Sequence, residues 1–153
     1  MLKYYTKQVV FQEVPDEVSL SFSIAGCPLN CKGCSWKSAI NDIPTTELDD
    51  KSYKEFLNHY KGLVSCVLFL GGEWDKEDLI NKLKLAKEEG YKTSLYTGLN
   101  FEEVDFSILP FLDFIKVGRY VESLGGLNSK NTNQRFIDLK NNKILNYKFI
   151  KEI

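Results

Sequence analysis

The sequence lacks a long hydrophobic run. No stretch of ~20 apolar residues occurs among its 153, so no bilayer-spanning helix is expected. Lys3 and Lys7 interrupt the N-terminus and no apolar h-region follows; a secretory leader is not expected, and the expected compartment is the cytoplasm. An excess of charge of one sign is also missing. With 20 basic and 21 acidic side chains the formal net charge is −1, which speaks against a general nucleic-acid binder and its basic stripe. Histidine is nearly absent, His59 being the single one. Length is short as well: a complete β/α barrel takes ~200 residues or more, so any barrel here is incomplete.

Cysteine is scarce but concentrated. Of four, Cys27, Cys31 and Cys34 crowd one short segment and Cys66 stands apart. A secreted disulfide framework spreads its cysteines to staple distant segments; crowding of this kind reads as metal or cluster ligation.

The apolar pattern alternates between the two regular periods. Residues 18–24 read VSLSFSI, with Val18, Leu20, Phe22 and Ile24 separated by serines. That predicts a strand with one face in a core, ending just before Cys27. The segment Cys27–Cys34, with Pro28, Asn30 and Gly33, is expected to be a loop at that strand's end. Residues 41–48 look irregular. Tyr53, Phe56, Leu57 and Tyr60 predict a helix over Asp49–Tyr60. Val64–Leu70 reads as a strand buried on both faces, followed by Gly71-Gly72-Glu73. Asp75–Glu89 is a second helix, with Leu79, Ile80, Leu83 and Ala86 inward, a solvated Lys/Glu face outward, and Gly90 as its stop. Strands at Tyr91–Tyr96 and Leu112–Val117 are expected, with a short helix near Phe101–Leu109 between them. After a polar, Gly-rich stretch at 122–134, Arg135–Leu139 and Ile144–Phe149 flank Asn141-Asn142 as an antiparallel hairpin. The expected fold is one α/β domain over 1–153: an incomplete β/α barrel of mainly parallel strands with a C-terminal antiparallel hairpin. The cysteine loop, Gly71-Gly72-Glu73, Tyr96-Thr97-Gly98 and Lys116 with Gly118 all fall at C-terminal strand ends, the edge where α/β folds bind ligands.

The cysteine spacing is C-x3-C-x2-C. Three thiolates can hold three irons of a [4Fe–4S] cubane, whereas full protein ligation takes a fourth cysteine. Cys66 lies within a strand whose side chains belong in the core, so the natural reading is a cluster with one open iron, the position at which chemistry occurs. Zinc is the alternative, but its usual second ligand pair is missing.

The cysteine motif, followed 37 residues later by Gly71-Gly72-Glu73, resembles the radical S-adenosylmethionine (SAM) superfamily. That family often places Pro after the Glu; this chain has Trp74. Three segments are further similar to the activating enzymes of anaerobic (class III) ribonucleotide reductase: Ile24 to Cys34, Leu112 to Tyr120, and Gly125-Gly126-Leu127 with Thr132-Asn133-Gln134-Arg135. The resemblance covers residues 7–140. It implies cluster ligation by Cys27, Cys31 and Cys34, and SAM contacts from Gly33, Ser35, Gly71, Gly72, Glu73, Thr97 and Lys116. Lys116 enters through Asp113-x-x-Lys116, similar to an Asp-Leu-Lys region in other activases but one residue longer. The implied chemistry is reductive cleavage of SAM and transfer of a hydrogen atom from a glycine Cα of the reductase's glycyl-radical subunit, with flavodoxin or ferredoxin as electron donor and neither nucleic acid nor membrane as partner. The rivals are an activase for another glycyl-radical enzyme, a small-molecule radical SAM enzyme such as a deazapurine synthase, and a non-catalytic iron–sulfur or zinc module.

Each residue also has a plainer reading. A glycine pair is often only a turn. Lys116 at a strand end can snorkel. Tyr96 and Thr97 can belong to the core. Asn133-Gln134-Arg135 can dock a substrate or order the tail, and Trp36 can shield the cluster or pack in the core.

Overall fold

The computed structural model describes residues 1–26 and 44–150. Cys27, Cys31, Cys34, Gly33, Ser35 and Trp36 lie outside the described residues.

The chain builds an eight-stranded mixed sheet: β1 (Lys3–Val10), β2 (Ser19–Ile24), β3 (Thr46–Glu47), β4 (Cys66–Leu70), β5 (Lys92–Tyr96), β6 (Phe114–Val117), β7 (Arg135–Asp138) and β8 (Lys143–Ile144). Their spatial order is β3-β1-β2-β4-β5-β6-β7-β8, so the sheet is open. Its centre, β2-β4-β5-β6, is parallel, and both flanks are antiparallel. Parallel neighbours need crossovers. Helix α1 (Asp50–His59) lies between β2 and β4 in the chain, and α2 (Lys76–Glu88) between β4 and β5.

Alternation sorts side chains onto two faces. Leu20, Phe22 and Ile24 of β2, Val67 and Phe69 of β4, Leu95 of β5 and Ile115 of β6 form one core with Tyr53 and Leu57 of α1 and Leu79, Leu83 and Ala86 of α2. Phe22 stacks on Phe69 with centroids 5.6 Å apart, a contact worth about 0.5–1.5 kcal/mol beyond area burial. Cys66, Leu68, Phe114 and Phe136 alternate with these and form a second core with Val14 and Leu145. The serines of β2 belong to that second face. All six residues of β2 are therefore buried, and the expectation that only one face lies in a core is corrected.

Helix α1 starts where Asp49 accepts a hydrogen bond from the Ser52 amide at 2.7 Å, satisfying a donor the first turn leaves orphaned. The amphipathic reading of α2 needs one change. Lys82, assigned to the solvated face, is fully buried; its Nζ reaches Asp78 Oδ1 at 2.8 Å and Asp50 Oδ1 at 2.9 Å. Asp78 Oδ2 in turn accepts from the Leu2 amide at 2.7 Å, so one lysine joins α1, α2 and the N-terminal strand.

Other departures are local. Strand β1 was not expected, because KYYTKQVV has no two-residue apolar period and most of it stays partly exposed. Part of the 41–48 stretch read as irregular is β3, two residues long. In place of a helix near Phe101–Leu109 there are 3-10 turns at Phe101–Glu103 and Leu109–Phe111, the first closed by a capping box of Asn100 and Glu103 and the second carrying Pro110. The second arm of the hairpin is short: β8 ends at Ile144, and Asn146–Phe149 is a 3-10 turn. There the Asn146 side chain stands in for the ladder, accepting from the Phe136 amide and donating to the Gln134 carbonyl, both at 2.8 Å.

Candidate functional site

The C-terminal ends of the parallel strands form one edge. Strand β2 leaves it through Ala25-Gly26 into Cys27, and β4 leaves it through Gly71-Gly72-Glu73. Trp74 joins these exits. A Cβ on Gly71 would lie 2.5 Å from Trp74 Cη2, and one on Gly26 would lie 3.4 Å from Trp74 Nε1. The indole thus rests on the backbone of both turns and brings the entry to the cysteine segment beside the Gly-Gly-Glu turn. Gly71 has φ of +91°, which also favours glycine. The need for glycine at 71 is met by this chain's own tryptophan. Gly72 faces Leu2, Ile24 and Leu79 in the core below. Neither glycine therefore identifies a ligand by itself.

Glu73 does carry such a signal. Thr97, just past β5, donates from Oγ1 to Glu73 Oε1 at 2.7 Å and accepts from the Leu99 amide at 3.1 Å. The hydroxyl has one proton, so the amide contact orients it towards the carboxylate. Glu73 Oε2 is buried and has no hydrogen-bond partner among the described residues. Burial pushes the Glu73 carboxyl above its ordinary value, and the bond from Thr97 opposes that rise. A buried carboxylate oxygen without a donor is costly. The residues present fit a group that brings a cationic N–H donor to this edge.

Lys116 lies on the face of β6 that carries Phe114. It is in register with Tyr96 and Phe136, and its Nζ lies 4.7 Å from the Tyr96 ring centroid. A cavity of about 320 Å³ opens there, lined in part by Gln12, Glu13, Tyr96, Lys116, Gln134 and Phe149. The Tyr96 hydroxyl donates to the Glu13 carbonyl, and burial raises its pKa. Glu73 and Thr97 do not line this cavity. The structure therefore brings Glu73 and Thr97 together and places Lys116 in a second depression on the sheet. Gln12 and Glu13 escaped the sequence reading because they sit in an irregular stretch without a motif.

Asn133-Gln134-Arg135 orders the chain after β6. Asn133 Nδ2 donates to the Arg119 carbonyl at 3.0 Å, and Gln134 Nε2 to the Gly118 carbonyl at 3.2 Å. Arg135 Nη1 donates to the carbonyls of Thr132 and Gln134, each at 2.7 Å. Gly118, at φ +104°, permits this close approach: a Cβ there would lie 3.1 Å from Asn133 O and Gln134 Cα. Cys66 is buried at the start of β4, away from the C-terminal edge, and burial pushes its thiol up to about 12. A thiol so protonated is a packing group.

The described residues form an open α/β sheet whose C-terminal strand edge carries a half-buried carboxylate, the edge at which α/β folds bind ligands. Residues 18–144 match the family of 4Fe-4S single cluster domains, and the chain belongs to that family. No curated protein and no solved structure gives a match. No helix among the described residues is long and apolar enough to cross a membrane.

Proposed function

We propose that this protein is a radical SAM activase, built on an incomplete β/α barrel, that generates a glycyl radical on anaerobic ribonucleotide reductase. Membership of the 4Fe-4S family supports the cluster, and the C-x3-C-x2-C spacing assigns it to Cys27, Cys31 and Cys34 with one iron left open. The observation that carries the reading is the contact of Trp74 with both Gly26 and Gly71, which sets the Gly-Gly-Glu turn beside the entry to the cysteine segment.

A reduced cluster held by Cys27, Cys31 and Cys34 would supply the electron for reductive cleavage of SAM, the chemistry from which hydrogen abstraction at a glycine Cα of the reductase would follow. The protein's own part is binding and orientation. Glu73 Oε2, without a hydrogen-bond partner among the described residues, would accept from the ammonium of the methionine moiety, a donor that would offset the cost of burying the carboxylate. Thr97 holds that carboxylate in place through Oε1. Gly33 and Ser35 flank the third cysteine and contact SAM from that segment. SAM bound at Glu73 would have to reach the neighbouring depression for its adenosyl end to meet Lys116, which lies over Tyr96 there. Flavodoxin or ferredoxin is the electron donor, and the site of action is the cytoplasm.

The test is anaerobic. The protein is reconstituted with iron and sulfide, reduced, and mixed with SAM and a class III ribonucleotide reductase. A glycyl doublet in the electron paramagnetic resonance spectrum, with 5′-deoxyadenosine formed, supports the reading. Deoxyadenosine without the doublet points to another substrate. A well-formed cluster with neither signal points to electron transfer. Cys31→Ala removes both cluster and cleavage; cleavage retained in that variant refutes ligation by the segment.

A further inference from the structure

The activase reading places a polypeptide partner at the C-terminal strand edge without saying what holds it there. We infer that the lobe following β6 docks an acidic surface of that partner. Residues 116–135 hold Lys116, Arg119, Lys130 and Arg135 against the single anion Glu122, a local charge of +3 on a chain of net −1. Arg119 and Lys130 are exposed, and neither side chain has a salt bridge or hydrogen bond among the described residues. Arg135, paired with Val117 across β6 and β7, is bound among the described residues by backbone carbonyls alone, which carry no countercharge. Arg119, Lys130 and Arg135, all on the segment that leaves and returns to the C-terminal end of β6, favour an anionic partner surface and speed its encounter.

The lobe is also preorganised. Asn133 and Gln134 hold the carbonyls of Arg119 and Gly118, Thr132 Oγ1 donates to the Gly125 carbonyl at 2.9 Å, and Val121 bridges Gly125. A surface fixed before binding loses less entropy when it docks. Tyr120, Val121, Glu122 and Ser123 line a depression of about 420 Å³, and Val121 and Leu124 are 37% and 36% exposed. The hollow directly follows Arg119 in the chain and carries Glu122 on its wall, so it can take an apolar residue of a partner segment whose anion meets Arg119.

The inference rests on the activase reading, and the experiment separates the two. Binding of a full-length class III reductase to the reconstituted protein is measured at low and at physiological ionic strength. Deoxyadenosine formation without reductase and the melting temperature are measured in parallel. The Arg119→Glu/Lys130→Glu variant is expected to bind the reductase about tenfold more weakly at low salt, and with a shallower salt dependence, since rim charges act chiefly on association. Its uncoupled SAM cleavage and melting temperature stay at wild-type values. A control, Lys140→Glu/Lys143→Glu, reverses exposed charges at the turn joining β7 to β8, at the far end of β7 from Arg135, and leaves binding unchanged. Wild-type binding by the Arg119/Lys130 variant overturns the inference. So does equal weakening in the control, tighter binding of single-stranded DNA than of reductase, or no binding of reductase by the wild type. Loss of uncoupled cleavage in the wild type overturns the activase reading instead.

Discussion

Thr97 Oγ1 donates to Glu73 Oε1 over 2.7 Å and thereby ties the end of β5 to the turn after β4. The bond leaves Oε2 as a buried acceptor at the edge where β2 runs out towards Cys27. Thr97→Val removes the hydroxyl donor on the carboxylate while keeping the shape of the side chain. A net loss of about 1–2 kcal/mol in stability is expected, read by chemical denaturation, with weaker SAM binding read by equilibrium dialysis.

The same carboxylate makes stability depend on pH. Burial raises its folded-state pKa above the ordinary value of 4.5. The folded state therefore holds its proton more tightly than the unfolded chain. This contribution is fully present below the ordinary value and is lost as pH rises through the folded value. Glu73→Gln stays uncharged across that window. Its melting temperature, relative to wild type, is expected to increase from pH 4 upward in the absence of SAM, and a flat difference would contradict the burial effect.

Gly71 and Trp74 are coupled. Gly71→Ala places a methyl 2.5 Å from Trp74 Cη2 at a φ of +91°. The backbone conformation alone costs about 1–3 kcal/mol, and the overlap adds to it. In a Trp74→Ala background the overlap disappears and the conformational cost remains. A double-mutant cycle is expected to show a smaller penalty for Gly71→Ala there, with additive effects refuting the packing.

Lys82 binds two carboxylates from a fully buried position, and Asp78 is only 17% exposed. Lys82→Met removes the cation and leaves Asp78 with the Leu2 amide as its remaining partner. A loss of about 2–4 kcal/mol is expected, below the range for fully buried pairs because Asp50 is half exposed. The variant melts earlier and keeps its iron content.

Cys66 is expected to resist iodoacetamide in the folded protein at pH 8, since its thiol titrates near 12. Cys66→Ala keeps the full iron and sulfide content and loses about 1 kcal/mol, the scale of a small cavity. Loss of the cluster in that variant would make Cys66 a ligand.

Much of this architecture is legible in the chain. The strands around Leu20, Val67, Leu95 and Ile115 and the helices α1 and α2 declare themselves because each repeats its apolar residues at the period of its backbone. Strand β1 does not: it pairs by main-chain hydrogen bonds to β2 while its side chains stay largely at the surface, and such pairing leaves no apolar period. The burial of Lys82 is not legible, because a lysine's charge says nothing of the two carboxylates that α1 and its own helix bring to it. The Gly-Gly-Glu resemblance points to Glu73 and a strand-end position to Thr97, though neither gives their contact.

The sequence by itself determined the period of each central element, the cysteine spacing, and the placement of glycines and carboxylate at strand ends. These follow from rules that act over a few residues. Only the tertiary structure decided that Trp74 lies across Gly26 and Gly71, that one Glu73 oxygen is without a partner among the described residues, and that Asn133, Gln134 and Arg135 clamp the loop after β6. Each of these joins residues far apart in the chain, or leaves a polar atom bare when they meet. Their energies arise from packing and desolvation that exist only once the sheet has assembled.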